Sequence, residues 1–164
     1  DLSIAENIFL GREYTKKGGM IDWKKCREES RNLLMQVGLE VDPSTKVSRL
    51  KVAEQQMVEI AKALSKRAKI IVMDEPTAPL TQKEIDHLFQ VIENLKKRKI
   101  SVIYVSHRLG EIKEMCDRIT VLRDGCLVAK ANVADITIPD MIPGLKENRE
   151  KRFLGLSICT QKIN

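Results

Sequence analysis

An α/β fold built on a parallel sheet is predicted by three features of the sequence. Residues 70–73 and 100–105 are short apolar runs rich in β-branched side chains, which is typical of strands buried on both faces of a parallel sheet. An amphipathic helical pattern separates the two runs, so together they predict a β-α-β unit. The 164 residues, 43% hydrophobic and 4% aromatic, suit one modest domain with an aliphatic core.

The region before the first apolar run is predicted to be mainly helical. Ser3 and Glu6 have the spacing of a capping box and predict a helix start. A second helix is predicted over 22–38, where apolar residues recur at helical spacing and Gly38 can end the helix. The Asp-Pro-Ser-Thr segment at 42–45 then breaks the chain, and a third helix is predicted to begin near Ala53.

Charged side chains follow the two predicted strands. Asp74 and Glu75 end the first apolar run before Pro76, and His107 follows the second. In open α/β sheets, ligands bind at the carboxyl ends of the strands. Asp74 could hold Mg²⁺, and Glu75 could orient or deprotonate an attacking water. Taken alone, the same residues could be no more than a polar strand end and a turn.

The segment between the strands and the segment after them also carry clear patterns. Thr81 and Glu84 form a second capping-box pattern that opens the amphipathic helix, whose residue His87 is expected to be a solvated surface residue. A short helix containing Leu109, a strand over 118–122 and an antiparallel return over 126–131 are predicted to follow.

Composition excludes several classes of protein. The net charge is +6, but no basic stripe is interleaved with aromatic residues, so no nucleic-acid partner is expected. Four cysteines without metal-ligand spacing are expected to be reduced thiols. No apolar run reaches the roughly 18 residues of a membrane span, and no signal peptide is recognised, so a cytoplasmic location is expected.

The motifs, taken in order, resemble the ATP-binding cassette (ABC) family. The stretches that carry the resemblance are residues 5–13, the segment 48–64, the strand ending at Asp74 and Glu75, and residues 103–112. In detail they look like the first nucleotide-binding domain of a bacterial ribose- or galactose-type carbohydrate importer. The resemblance implies a partial P-loop NTPase (ABC ATPase) fold, with a parallel sheet core and a small helical subdomain.

The resemblance also implies a division of the chain. Residues 1–50 would be mainly the helical subdomain, and residues 51–142 would hold the signature helix and the C-terminal α/β part of the cassette core. Residues 143–164 diverge from the family, and we expect them to form a flexible tail.

The same resemblance implies roles for individual residues and two cofactors, ATP and Mg²⁺. Asp74 would be the Walker B metal residue, Glu75 the catalytic base and His107 the switch histidine that contacts the γ-phosphate. Two further sets would meet a second cassette. The signature residues are Leu50, Lys51, Val52, Ala53, Glu54 and Gln55, and the D-loop residues are Ala78 and Leu80.

Two departures from the family weaken the expected activity. Lys51 stands where the family has a serine that touches phosphate, so signature function is expected to be weakened. No Gly-x-x-x-x-Gly-Lys-Ser/Thr phosphate loop occurs in the sequence. Alone, the chain is expected to bind ATP weakly and to hydrolyse it negligibly.

The resemblance therefore predicts part of the ATP-hydrolysing subunit of a monosaccharide importer. Its expected partners are membrane-spanning permease subunits, a second cassette in a head-to-tail sandwich and, indirectly, a periplasmic sugar-binding protein, with the chain on the inner face of the cell membrane. One alternative is a degenerate, non-catalytic cassette that acts only as an interaction module. Another is a cassette ATPase acting on nucleic acid or ribosomes, which the low aromatic content disfavours.

Overall fold

The structure is a computed structural model that describes residues 1–123, 125–135 and 156–159. These residues divide into two compact units. The first comprises Asp1–Ala68 and Pro79–Val91, and the second comprises Lys69–Ala78 and the described residues from Ile92 onward. The first unit continues past residue 50, so the subdomain boundary predicted there does not coincide with a unit boundary and stays a prediction.

The core of the first unit is built from three helices. They are α1 (Ile4–Phe9), α2 (Trp23–Gln36) and α3 (Val52–Ser65), which contact one another pairwise. A single turn of 3₁₀-helix, Val47–Arg49, precedes α3. The buried apolar side chains include Ile4, Ile8, Leu34, Val37, Val58 and Ala61. The predicted helical character of this region is confirmed.

The helix ends of the first unit follow the sequence signals. The Glu6 carboxylate accepts from the Ser3 N–H at 2.6 Å, and Ser3 Oγ accepts from the Glu6 N–H at 3.3 Å, which completes the predicted capping box. The hydrogen bonds to Ser3 lower the pKa of Glu6. Gly38 follows the end of α2 with φ +66°, a left-handed conformation that favours glycine.

His87 differs from its predicted role as a solvated surface residue. It is half-buried in the first unit, and its imidazole Nε2 lies 2.7 Å from the position that a β-carbon on Gly38 would occupy. The prediction was wrong because the helical pattern of 82–97 reveals nothing about a glycine far away in the sequence. The missing side chain of Gly38 is what makes room for the ring.

The second unit contains a mixed three-stranded sheet in which β2 lies between β1 and a third strand, β5 (Leu156–Cys159). Strands β1 (Ile70–Asp74) and β2 (Ser101–Val105) are parallel and in register from Ile70 opposite Ser101 to Asp74 opposite Val105. The predicted parallel β-α-β unit is therefore confirmed, and its helix is α4 (Gln82–Lys97).

After β2 come the helix α5 (Leu109–Met115) and the antiparallel pair β3 (Arg118–Arg123) and β4 (Cys126–Asn132). These agree with the predicted helix, strand and return strand. The pair β3-β4 forms its own two-stranded sheet.

The apolar run of β1 predicted that the strand is buried on both faces. In the structure only one face is buried. Ile71 and Met73 are buried, but Ile70 and Val72 are 59% and 64% exposed. An apolar run shows that a strand can be buried on two faces, but a second layer must be present to cover both. Among the described residues, no layer covers the side chains of Ile70 and Val72.

Helix α4 buries the apolar face that its sequence predicts: Ile85, Leu88, Phe89, Ile92 and Leu95. At its start, Glu84 Oε2 accepts from the Thr81 N–H and hydroxyl, each at 2.8 Å. Near its end, burial opposes the charge on Lys96, but Glu93 and Asp117 outweigh burial and raise the Lys96 pKa. The basic end of α4 thus takes part in local ion pairs, in keeping with a structural role.

The predicted flexible tail, residues 143–164, lies mostly outside the described residues. Within that range only Leu156–Cys159 is described, and it forms β5, which pairs antiparallel with β2. These four residues can pair there because the free edge of β2 offers unpaired backbone groups to a strand, and the flexibility of the tail stays a prediction.

Across the described parts of the chain, no helix is long and apolar enough to cross a membrane.

Candidate functional site

The parallel register of β1 and β2 brings the predicted catalytic residues to one edge of the sheet. Asp74 is the last residue of β1 and lies opposite Val105, the last residue of β2. The Glu75 N–H donates to the carbonyl of Val105 at 2.9 Å, which extends the pairing one residue further. As a result, Glu75 and His107, 32 residues apart in the chain, emerge side by side.

Glu75 and His107 form a direct contact at this edge. The distance from His107 Nδ1 to Glu75 Oε1 is 2.7 Å, with the two side chains 60% and 30% exposed respectively. An ionised carboxylate can only accept hydrogen bonds, so Nδ1 carries the proton. In the neutral ring, Nε2 then remains an acceptor. The pair can therefore accept a hydrogen bond from a water at a defined place while staying open to solvent. A phosphate oxygen needs a donor at Nε2, which the doubly protonated ring supplies.

Backbone strain accompanies the Glu75 carboxylate. Glu75 has φ +45°, in the left-handed region that non-glycine residues seldom adopt, and its carbonyl accepts from the Ala78 N–H at 3.2 Å. Such strain costs on the order of 1 kcal/mol and persists only where the surroundings hold it. Arg67 and Lys99 also have positive φ, so the strain at Glu75 marks a costly backbone position and does not by itself assign a function.

A matched pair of variants measures that strain. We expect Glu75→Gly to be more stable than Glu75→Ala by about 1 kcal/mol, because glycine accepts a positive φ without penalty. Glu114, an exposed residue of α5, is the control. There the alanine variant should be more stable than the glycine variant by up to about 1 kcal/mol. Chemical denaturation of the four variants gives the comparison. Equal stability of the two variants at position 75 would contradict the strain.

Asp74 lies beside the Glu75–His107 pair, and its side chain is exposed. Within the described ranges no group of three or more His, Cys, Asp or Glu residues could hold a metal ion. Mg²⁺ commonly uses only one or two carboxylates and takes its remaining ligands from water and substrate phosphates. The carboxylate of Asp74 fits that donor set, with water and the phosphates of a nucleotide as the remaining ligands.

A buried polar cluster, which we call the Glu111 cluster, lies beneath this edge and was missed by the sequence analysis. Glu111 Oε2 accepts from the hydroxyls of Thr77 at 2.9 Å, Tyr104 at 2.7 Å and Ser106 at 3.2 Å. Its Oε1 accepts from Arg108 Nη1 at 2.7 Å. The signal that could have revealed it is three hydroxyl residues at or near predicted strand ends, which need a common acceptor once buried.

The environment of the cluster keeps its carboxylate ionised. Burial alone would raise the pKa of Glu111, but the hydrogen bonds from Tyr104, Arg108, Thr77 and Ser106 together lower it. Burial also raises the pKa of Tyr104, whose ring is completely inaccessible. The cluster is therefore a charged acceptor surrounded by neutral hydroxyl donors and one guanidinium.

The signature residues lie in the first unit, at the start of α3. Helix α3 begins at Val52, one residue before the predicted start, with exposed Lys51 at the N-cap position. Glu54 Oε2 accepts from the Lys51 N–H at 2.8 Å, and Gln55 Nε2 donates to the Leu50 carbonyl at 3.0 Å. An ammonium group has no lone pair, so Lys51 cannot cap the helix as serine would.

Replacing Lys51 tests this missing cap. We expect Lys51→Ser to raise the free energy of unfolding by about 1 kcal/mol, since the serine hydroxyl can accept from a free N–H of the first turn. Lys66→Ser, at the C-terminal cap of the same helix, makes the same change where no N-cap can form and should not stabilise. Thermal unfolding of both variants and of the parent measures these differences in stability. A Lys51→Ser protein no more stable than the parent contradicts the prediction.

The D-loop residues are divided between the two units. Exposed Ala78 belongs to the second unit, and half-buried Leu80 belongs to the first. The structure thus brings together Asp74, Glu75 and His107 in one unit and assembles the signature in the other. The contacts of the signature and D-loop with a second cassette stay predictions.

Comparison with known proteins agrees with this fold. The family model described as ABC transporter matches residues 1–78. A dimeric ATP-binding cassette in a post-hydrolysis state, bound to ADP and Pi, is 26% identical with a TM-score of 0.65, over 80% of this chain and 57% of that one. A nucleotide-free cassette from an ABC transporter, 21% identical, gives a TM-score of 0.71 over 86% and 62% of the two chains. The chain belongs to the ABC transporter family and has the fold of part of an ATP-binding cassette.

Two curated relatives are more similar to this chain in sequence than those two structures are. The chain is 50% identical over 141 residues to the ribose import ATP-binding protein RbsA of Caldanaerobacter subterraneus, covering 86% of this chain. It is 47% identical over 148 residues to the galactose/methyl galactoside import ATP-binding protein MglA of Clostridium perfringens, covering 90% of this chain. In both cases the matched region spans 28% of the relative's length.

Proposed function

We propose that this chain is part of the ATP-binding and ATP-hydrolysing subunit of a carbohydrate importer, in which hydrolysis drives the uptake of a monosaccharide. The observation that carries the proposal is the 2.7 Å contact between Glu75 and His107, beside Asp74, at the ends of two parallel strands. The identity of about half of the matched residues to ribose and galactose import proteins supports the substrate class.

The residues at the sheet edge divide the work of hydrolysis. Asp74 would hold Mg²⁺, which would supply positive charge against the negative charge that develops on the phosphates of ATP. Glu75 orients the attacking water and accepts its proton, because its carboxylate is held at a fixed position beside the strand end. His107 is held by Glu75 through Nδ1 and contacts the γ-phosphate as the imidazolium, in which Nε2 also donates. Positioning and charge account for most of the rate in such reactions.

The same proposal assigns partners to the two units. The helices of the first unit contact membrane-spanning permease subunits. The signature residues 50–55 contact ATP held by a second cassette in a head-to-tail sandwich. Ala78 and Leu80 meet the same second cassette. A periplasmic sugar-binding protein acts through the permease, and the chain lies at the cytoplasmic face of the cell membrane.

A second candidate function rests on Lys51. Its ammonium group is exposed at the start of α3, where the family places a serine. A helix N-terminus attracts anions, and a lysine there could either reach a phosphate or obstruct its approach. If it obstructs, the chain is a non-catalytic cassette that serves only as an interaction module.

An exchange experiment distinguishes the two functions. The 141-residue matched segment of the Caldanaerobacter ribose import protein is replaced by the corresponding residues of this chain, and Mg²⁺-dependent ATP hydrolysis is measured. We expect the chimera to hydrolyse ATP more slowly than the parent and to speed up with Lys51→Ser. A folded chimera that binds ATP but hydrolyses it only after Lys51→Ser would instead favour the interaction module, in which Lys51 obstructs the approach of the phosphate.

The 164-residue chain by itself should bind Mg-ATP weakly. Its sequence holds no phosphate loop to supply the backbone donors and the lysine that bind most of a nucleotide's phosphates. Isothermal titration with Mg-ATP measures this, with the chimera as the positive control. Micromolar affinity for the chain alone is the result that would contradict the expectation.

A further inference from the structure

The Glu111 cluster joins the two loops that carry Glu75 and His107. Thr77 lies two residues after Glu75, while Ser106 and Arg108 flank His107 on either side. All three donate side-chain hydrogen bonds to the single carboxylate of Glu111. One side chain from α5 is therefore bonded to segments on both sides of the Glu75–His107 contact.

Burial gives these hydrogen bonds their importance. Thr77 and Ser106 are each 1% exposed, and Tyr104 is fully buried. The Glu111 side chain itself is only 11% exposed. Buried hydroxyls without a partner are costly, and water does not reach these groups to replace a lost acceptor. The loops therefore depend on Glu111, whereas the exposed pair above them has solvent as an alternative partner.

The backbone reinforces the same arrangement around His107. The Arg108 N–H donates to Ser106 Oγ at 3.0 Å, so the Ser106 hydroxyl accepts from the backbone after His107 while it donates to Glu111. The residues on both sides of the histidine are thus held by hydrogen bonds. A carboxylate that accepts four side-chain hydrogen bonds in fixed directions restricts these residues more than any single contact could.

We propose that Glu111 is a positioning residue that holds the loops bearing Glu75 and His107 together, so that their contact exists before nucleotide binds. It touches neither partner of the pair and acts through Thr77, Ser106 and Arg108. This inference deepens the proposed function and rests on it for its catalytic meaning. The lowered pKa of Glu111 supports it, because the carboxylate stays charged at neutral pH.

The test uses the two histidines of the chain as internal reporters. His107 belongs to the second unit and His87 to the first, so ring ¹⁵N chemical shifts at one fixed pH report on both separately. The variants are Glu111→Gln, Glu75→Ala as the direct loss of the His107 partner, and Glu114→Gln as an exposed control on α5. Glutamine keeps the shape of Glu111 but loses its charge and one acceptor oxygen.

We expect Glu111→Gln to move the His107 ring shifts at least half of the way toward their values in Glu75→Ala. The His87 shifts should stay in place, and Glu114→Gln should move neither histidine. His107 shifts unchanged from the parent would overturn the proposal. If Glu111→Gln also moves the His87 ring shifts, Thr77→Val replaces it in the test, because this variant removes one donor and keeps the carboxylate. The same movement of the His107 shifts is then expected, and unchanged His107 shifts would overturn the proposal.

Kinetics of the chimera give a second readout that a purely structural role would not produce. Glu111→Gln should lower kcat by up to about 100-fold and leave the KM for ATP unchanged, because a misplaced catalytic group slows chemistry without weakening binding. Equal losses in kcat and in the amount of folded protein would overturn the proposal. The NMR experiment needs no nucleotide, so its failure is distinguishable from a failure of the proposed ATP hydrolysis.

Discussion

In the chimera with the Caldanaerobacter protein, Glu75→Gln is expected to lower the rate of ATP hydrolysis by about 10²–10⁴-fold while ATP still binds. Glutamine has nearly the shape of glutamate and can still contact His107, but it cannot accept a proton from the attacking water. The loss should therefore appear in kcat. Single-turnover hydrolysis and nucleotide binding, measured on the same preparation, separate the two effects.

Glu114→Gln is the matched control for this prediction. It removes an exposed carboxylate from the same compact unit, away from the Glu75–His107 contact, and should leave kcat unchanged. If Glu75→Gln hydrolyses ATP at the rate of the control, Glu75 is not the base. The short contact to His107 would then be only a surface hydrogen bond, worth less than about 1 kcal/mol.

The largest expected effect on stability is that of Glu111→Ala, which should lower the free energy of unfolding by about 3 kcal/mol. Three buried hydroxyls lose their acceptor at once, and each unpaired buried group costs roughly 1 kcal/mol or more. Glu114→Ala, on the exposed side of the same helix, should change stability by less than about 0.5 kcal/mol. Urea denaturation of both variants and the parent provides the measurement.

The pH dependence of that difference has a definite sign. The hydrogen bonds to Glu111 lower its pKa in the folded protein below the ordinary value of 4.5. Its stabilisation is therefore fully present above pH 4.5 and decreases as the pH falls through the lower, folded pKa. The gap between the parent and Glu111→Ala should shrink in acid. A gap that stays constant from neutral to strongly acidic pH would show that the carboxylate charge contributes nothing.

The sequence predicted the elements that depend on local patterns. The capping box at Ser3 and Glu6, the helical pattern that became α4, and the apolar runs that became β1 and β2 all appear where expected. Each of these signals lies within a short stretch of chain, because capping and side-chain periodicity act over one or two turns or strands. Local patterns can therefore be recognised without any knowledge of the fold.

The candidate site was predictable only in part. Asp74, Glu75 and His107 were identified because each lies within two residues of the end of an apolar run, and strand ends meet at one edge of a parallel sheet. Glu111 was missed because its partners come from β2, from the loop after β1 and from the segment beside His107. Nothing in its own helical surroundings indicates that it is the shared acceptor.

By itself, the sequence determined the α/β class, the helix starts and the two acidic residues at the end of β1, because these follow from local patterns and strand chemistry. The tertiary structure alone decided that His107 Nδ1 meets Glu75 at 2.7 Å, that His87 packs against Gly38 and that one face of β1 is exposed. The physical reason is the distance along the chain over which each kind of interaction acts. Local patterns set the conformation of a segment, whereas contacts between distant residues depend on how the segments pack.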